Sequence, residues 1–185
     1  MDPLLALDSI SSLNLGHYPT PVEELRSLRD HLGGGPRLFV KRDDAIAFGF
    51  GGNKVRKVEL EAKQAITEGA DTLITAGAVQ SNHARVTAAT AARCGLSCLL
   101  VVNGELPSKV TANALLDKFY GATVEYVPTR EARMPAMLAA AERLREEGRH
   151  PYVIPVGAST PLGAIGFVRA VREMVAQIPV PDVIV

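Results

Sequence analysis

Four glycines, Gly69, Gly95, Gly121 and Gly148, each fall where a helical stretch should give out and a strand begin. That is the place a C-capping glycine takes. The repeat commits the chain to alternating strands and helices. Strand-like runs lie at residues 38–41, 72–75, 98–102, 123–127, 152–155 and 183–185. Between them run apolar stripes at helical spacing: Val55, Val58, Ala62, Ala65 and Ile66; Leu115, Leu116 and Phe119; Met137, Leu138, Ala141 and Leu144. Such alternation predicts an α/β fold, a parallel twisted sheet with flanking helices and right-handed crossovers. Ligands of such sheets sit at the C-terminal ends of the strands, where residues 80–83 fall.

The stretch Gly51-Gly52-Asn53-Lys54-Val55-Arg56-Lys57 opens one of these helices. A lysine amine is the group that links covalently to an aldehyde cofactor. Two glycines before it allow a positive φ and a close approach to a flat ring. Lys57, at i+3, reaches the same side as Lys54. The pair reads as one lysine to bond pyridoxal phosphate and a second cation for its phosphate. Other phosphate motifs do not fit. A Walker loop needs Gly-Lys-Ser/Thr, and a dinucleotide fingerprint from Gly49 would need glycine where Lys54 stands. Asn53 is expected to buttress the lysine turn or to be an αL turn residue.

A second polar segment follows the strand at 72–75: Gln80-Ser81-Asn82-His83, leading into an alanine-rich helix to about residue 93. Ser81 or Asn82 is a good N-cap. The first N–H groups of such a helix point outward, unpaired, at the positive end of its dipole, a ready carboxylate or phosphate site.

Together, GGNKVRK and QSNHAR resemble the D-cysteine desulfhydrase and 1-aminocyclopropane-1-carboxylate deaminase family. Pro19-Thr20-Pro21, Val40-Lys41-Arg42-Asp43-Asp44, Pro155-Val156-Gly157-Ala158-Ser159 and Leu162-Gly163-Ala164 extend the resemblance along nearly the whole chain. It implies the tryptophan synthase β-type fold of pyridoxal 5′-phosphate enzymes, with the C-terminal part missing. Residues 1–54 would begin a large cofactor domain, 55–155 form a small α/β domain, and 156–185 resume the large one. It implies a lyase or deaminase working on a small amino acid. Lys54 would bond the cofactor and move the proton at or near Cα, helped by a pKa lowered through burial beside Lys57. Lys57 would hold the phosphate, and Asn82 the ring hydroxyl. Ser81, with the N–H groups of Asn82 and His83, would hold the substrate carboxylate. His83 after Gln-Ser-Asn points to β-elimination from D-cysteine. The deaminase and an L-cysteate sulfo-lyase are the alternatives, and an inactive binding or oligomerisation module is an alternative of another class. A homodimer is expected, with a second chain as a conceivable source of the missing part.

Composition sets the surroundings. Lys+Arg and Asp+Glu are both 20, a formal net charge of zero. No basic face points to nucleic acid or an anionic membrane, and no apolar run spans a bilayer. The start Met1-Asp2-Pro3-Leu4-Leu5 lacks the basic region of a signal peptide, so a cytoplasmic location is expected. Cys94 and Cys98 show neither a metal-site spacing nor a disulfide framework and read as reduced packing residues. His17, His31 and His150 read as loop residues. The charged run 41–44 is expected to form structural salt bridges. Ser159 and Thr160 read as the N-cap pair of a helix from Pro161, and facing the cofactor is their alternative reading.

Overall fold

The computed structural model describes residues 3–185; Met1 and Asp2, part of the start read for its missing basic region, lie outside them. The chain runs α1 (Pro3–Ser9), β1 (Val22–Glu24), α2 (Arg26–His31), β2 (Phe39–Lys41), α3 (Lys54–Thr67), β3 (Thr72–Ala78), α4 (Asn82–Cys94), β4 (Ser97–Asn103), α5 (Ala112–Phe119), β5 (Thr123–Val127), α6 (Arg133–Glu146), β6 (Pro151–Val153) and α7 (Pro161–Gln177).

β3 to β6 form one parallel sheet in the order β5-β4-β3-β6. Because side chains alternate across a strand, the sheet has two packed faces. Leu73, Leu100 and Val102 face one core, with Ala62 and Ala65 of α3 and Ala84, Ala88 and Ala91 of α4. Ile74, Ala76, Leu99 and Val101 face the other, against Met137, Ala140 and Ala141 of α6. β3 leads to β4 on one side, while β6 returns to the other. The strand order therefore reverses at β3, the switch point where open α/β sheets open a crevice. Gly69, Gly95, Gly121 and Gly148 all have φ between 70° and 78°, as expected of caps.

The structure corrects several expectations. The strand expected at 38–41 does not join the parallel sheet; β2 pairs antiparallel with β1 through Val22–Lys41 and Glu24–Phe39. The strand expected at 183–185 does not form, because these residues have no ladder partner among the described residues. On α5 the buried residues are Ala114 and Asp117, while Leu115 and Phe119 are exposed. That helix docks on α4, which turns its inner face by about one residue from the apolar stripe. On α6, Ala140 is buried and Leu138 exposed. On α3, Ile66 lies at the solvent edge of its stripe.

Candidate active site

The turn before Lys54 has an unusual backbone. Gly49, Phe50, Gly51 and Gly52 all have positive φ, 57°, 63°, 72° and 97°. Gly51 is required by space as well: a Cβ there would lie 2.5 Å from the Asp44 carbonyl oxygen. Its N–H bonds to Phe48 O at 2.9 Å, and that of Gly52 to Asp43 O at 2.8 Å. The chain then enters α3 with Lys54 as its first residue. Asn53 corrects the αL reading. It is in the right-handed helical region (φ −61°, ψ −13°), exposed, and its side chain makes no cap bond. The αL work falls to its neighbours.

Lys57 is not a solvated helix lysine. It is buried, its Nζ lies 3.4 Å from Ser159 Oγ and 5.5 Å from the centre of the Phe167 ring. Burial lowers its pKa below the lysine range, and the Lys54 charge lowers it further, against Glu61. Neither lysine forms an ion pair among the described residues. A buried ammonium whose one hydrogen-bond partner among the described residues is a hydroxyl, with Glu61 acting on it only from beyond ion-pair distance, suits an anion.

His83, the second residue of α4, is 3% exposed. Its Nε2 lies 2.8 Å from Thr75 Oγ1, and that hydroxyl donates its one proton to Ile154 O at 2.8 Å. Thr75 can therefore only accept from the ring, so Nε2 carries the proton and Nδ1 is a bare acceptor. Nδ1 is buried without a partner among the described residues. Burial, and then the charges of Lys54 and Lys57, push the His83 pKa down to about 3. The ring is neutral, and the two lysines and His83 share one electrostatic neighbourhood.

Ser81 is the N-cap of α4; its Oγ accepts from Ala84 N at 3.2 Å. Asn82 Oδ1 accepts from Asn113 Nδ2 at 2.9 Å and from Arg85 Nη2 at 3.4 Å. Gln80 is tied to Asn113 through its own side chain and carbonyl. Thr160, not Ser159, caps α7, accepting from Gly163 N at 2.8 Å; Ser159 faces Lys57 instead. The structure thus gathers Lys54, Lys57 and His83, with Ser159, beyond the C-terminal ends of β3 and β6, where Ser81 and Asn82 open α4. It leaves Asn53 exposed beside them.

Three contributors, Thr75, Asn113 and Arg85, escaped the sequence reading. Thr75 and Asn113 act across distances in sequence of 8 and 31 residues, which no local pattern reports. Ser159, read as a capping residue with a place facing the cofactor as its other reading, lies against Lys57. Arg85 left a signal: it is the one charged residue between Asn82 and Ala92 of an alanine-rich stretch, one turn past Asn82. A cavity of about 370 Å³ lies elsewhere, lined by Asp8, Tyr18, Arg56, Glu59, Arg169 and Glu173 among others. Exposed His17, His31 and His150 take no part, and Cys94 and Cys98 are free.

These residues fit a group that carries an aldehyde and a phosphate. An amine stands at a helix start behind a glycine turn, and a buried, unpaired ammonium waits within one helical turn of it. The comparisons agree. A family model for pyridoxal-phosphate dependent enzymes matches residues 13–185. A D-cysteine desulfhydrase of Klebsiella pneumoniae is 43% identical over 170 residues, covering 89% of this chain and 51% of the relative. One of Salmonella typhi is 42% identical over 182 residues, covering 95% and 54%. The crystal structure of an ACC deaminase homologue superposes with a TM-score of 0.88 at 38% identity, over 97% of this chain and 55% of that one. The chain spans about half the length of the relatives it matches.

Proposed function

The chain belongs to the pyridoxal-phosphate dependent enzyme family, and on that premise we propose that it carries the lysine side of a lyase active site for a small amino acid. The substrate we favour is D-cysteine, split by β-elimination with water into pyruvate, ammonia and hydrogen sulfide. The observation that carries the reading is the meeting of Lys54 with a buried, unpaired Lys57 and a neutral His83 beyond the ends of β3 and β6. The printed activity of relatives at 42–43% identity supports the substrate.

When bound, pyridoxal phosphate supplies an electron sink for a bond broken at Cα. Lys54 Nζ holds the cofactor's aldehyde carbon and takes or returns the proton at Cα. Lys57 offsets phosphate charge in a site where burial strengthens the attraction. Asn82, its amide oxygen already fixed by Asn113, presents its amide N–H to the ring hydroxyl. Ser81 and the N–H groups of Asn82 and His83 hold the substrate carboxylate at the positive end of α4. Asn53, next to Lys54 at the start of α3, buttresses the lysine turn. Here the neutral His83 keeps a third positive charge out of the site.

A second reading, a deaminase of the cyclopropane amino acid, is favoured by the structural neighbour's description; an L-cysteate sulfo-lyase is the third. The same reading takes residues 55–155, which hold the whole parallel sheet, as a small domain, and residues 1–54 and 156–185 as parts of a large one. It takes the protein to be a cytoplasmic homodimer, with a second chain as a possible completing partner. No described helix is long and apolar enough to cross a membrane.

The test is borohydride reduction with added pyridoxal phosphate, followed by peptide mapping and by assay of D-cysteine, the cyclopropane amino acid and L-cysteate. Lys54 should carry the label, and Lys54→Ala should abolish turnover. A label at Lys41, Lys57 or Lys63 instead would overturn the assignment.

A further inference from the structure

We propose that Arg85 is a positioning residue that fixes the glycine turn and so aims Lys54; this rests on the role given to Lys54 above. Arg85 is 4% exposed. Its Nη1 bonds to the carbonyl oxygen of Gly49, and its Nη2 to that of Gly51 at 2.9 Å. The same Nη2 lies 3.4 Å from Asn82 Oδ1. One planar guanidinium therefore spans the turn before Lys54 and the start of α4.

The turn needs such a hold. Three of its four positive-φ residues are glycines, whose freedom in the unclamped chain is the largest of any residue. Its inward N–H bonds fix Gly51 and Gly52 on one side, and Arg85 takes up carbonyls on the other. Two carbonyls at a set spacing suit a rigid fork of donors; a lysine would reach one.

A comparison within the molecule separates this role from plain structural support. Arg56 is equally buried, but Asp43 and Glu173 neutralise it at 2.8 Å. Arg85 has no carboxylate within ion-pair distance among the described residues, and its Nε is buried without a partner. A cation kept on neutral carbonyls at such cost is placed for what it holds. Asp117 on α5, though not paired with it, bears on Arg85 electrostatically.

The experiment compares the wild type with Arg85→Met and Arg85→Lys. Amide hydrogen exchange without cofactor is read at Gly51 and Gly52 and in the β3–β4 ladder, and borohydride-trapped pyridoxal phosphate is timed at Lys54. In Arg85→Met the turn amides should exchange about ten- to a hundredfold faster, the range of a charge-assisted bond, with the ladder unchanged. Labelling of Lys54 should slow by a similar factor and recover in part with added guanidinium ion; Arg85→Lys should fall between. Unchanged turn exchange in Arg85→Met, or equal loosening of turn and ladder, would overturn the proposal. So would slowed labelling that guanidinium does not restore. If the wild type takes no label at Lys54, the proposed function fails, while the exchange measurement still decides whether Arg85 holds the turn.

Discussion

Two buried side chains carry opposite pH signatures. Burial raises the Asp117 carboxyl to about 7, with the Arg85 charge pulling the other way. The unfolded chain ionises this group near the ordinary aspartate value of 3.8. Between those limits the folded state holds a proton that the unfolded state has lost, so stability falls as pH rises from about 4 to 7 and is flat above. His83 runs the other way. Its folded pKa of about 3 lies below the ordinary 6.5, so the unfolded state takes up the proton first, and stability falls as pH drops from about 6.5 towards 3. Asp117→Asn should therefore unfold at higher urea than the wild type at pH 8 and match it near pH 4. His83→Gln should flatten the acid limb between pH 6 and 4. Urea midpoints across this range decide; variant profiles that run parallel to the wild type would sink both assignments.

At the scale of elements, α3 and α7 cross closely because Gly166 has no side chain. A Cβ there would stand 2.2 Å from the Arg56 carbonyl oxygen. On an open helix face, Gly→Ala stabilises by up to about 1 kcal/mol. Here Gly166→Ala should instead destabilise by about 1–3 kcal/mol, the cost of overpacking, measured by urea unfolding; a stabilised variant would show that the helices do not touch there. What was legible in the sequence divides along the same line. The βα order, the capping glycines and Ser81 were readable because each is written in a few adjacent residues. The inner face of α5, the pairing of β1 with β2 and the absent strand at 183–185 were not, since each depends on a partner distant in sequence. At the site, Lys54, Lys57 and Ser81 stood in short motifs. Thr75 behind His83 and Arg85 behind the glycine turn become visible only once β3, α4 and the turn are placed together.

Across the whole molecule, one buried cation ties distant parts of the sequence to α3. Arg56 Nε and Nη2 bond to Asp43, Nη1 and Nη2 to Glu173 on α7, and Nη2 also to Thr20 Oγ1. Its guanidinium lies 4.5 Å from the centre of the Tyr18 ring, and Lys41 joins the cluster at Glu173, 2.9 Å away. This confirms the structural role expected of the charged run at 41–44 and shows that its partner is a residue of the GGNKVRK motif. Burial alone would raise the Glu173 carboxyl; the bonds from Arg56 and Lys41 override it and hold that pKa below the usual range. A carboxylate with a depressed folded pKa adds stability above its unfolded pKa and loses it as pH falls through the folded one. Arg56→Met leaves two carboxylates without their main counter-charge, which costs about 3–5 kcal/mol at pH 7. The deficit relative to the wild type should shrink as pH falls from 7 to about 3, where protonation removes the stranded charge. Adding Glu173→Gln to Arg56→Met should return part of the loss at pH 7. A deficit independent of pH, unmoved by the second substitution, would mean that Arg56 acts through packing against Tyr18 and not through the charge that joins α3 to α7.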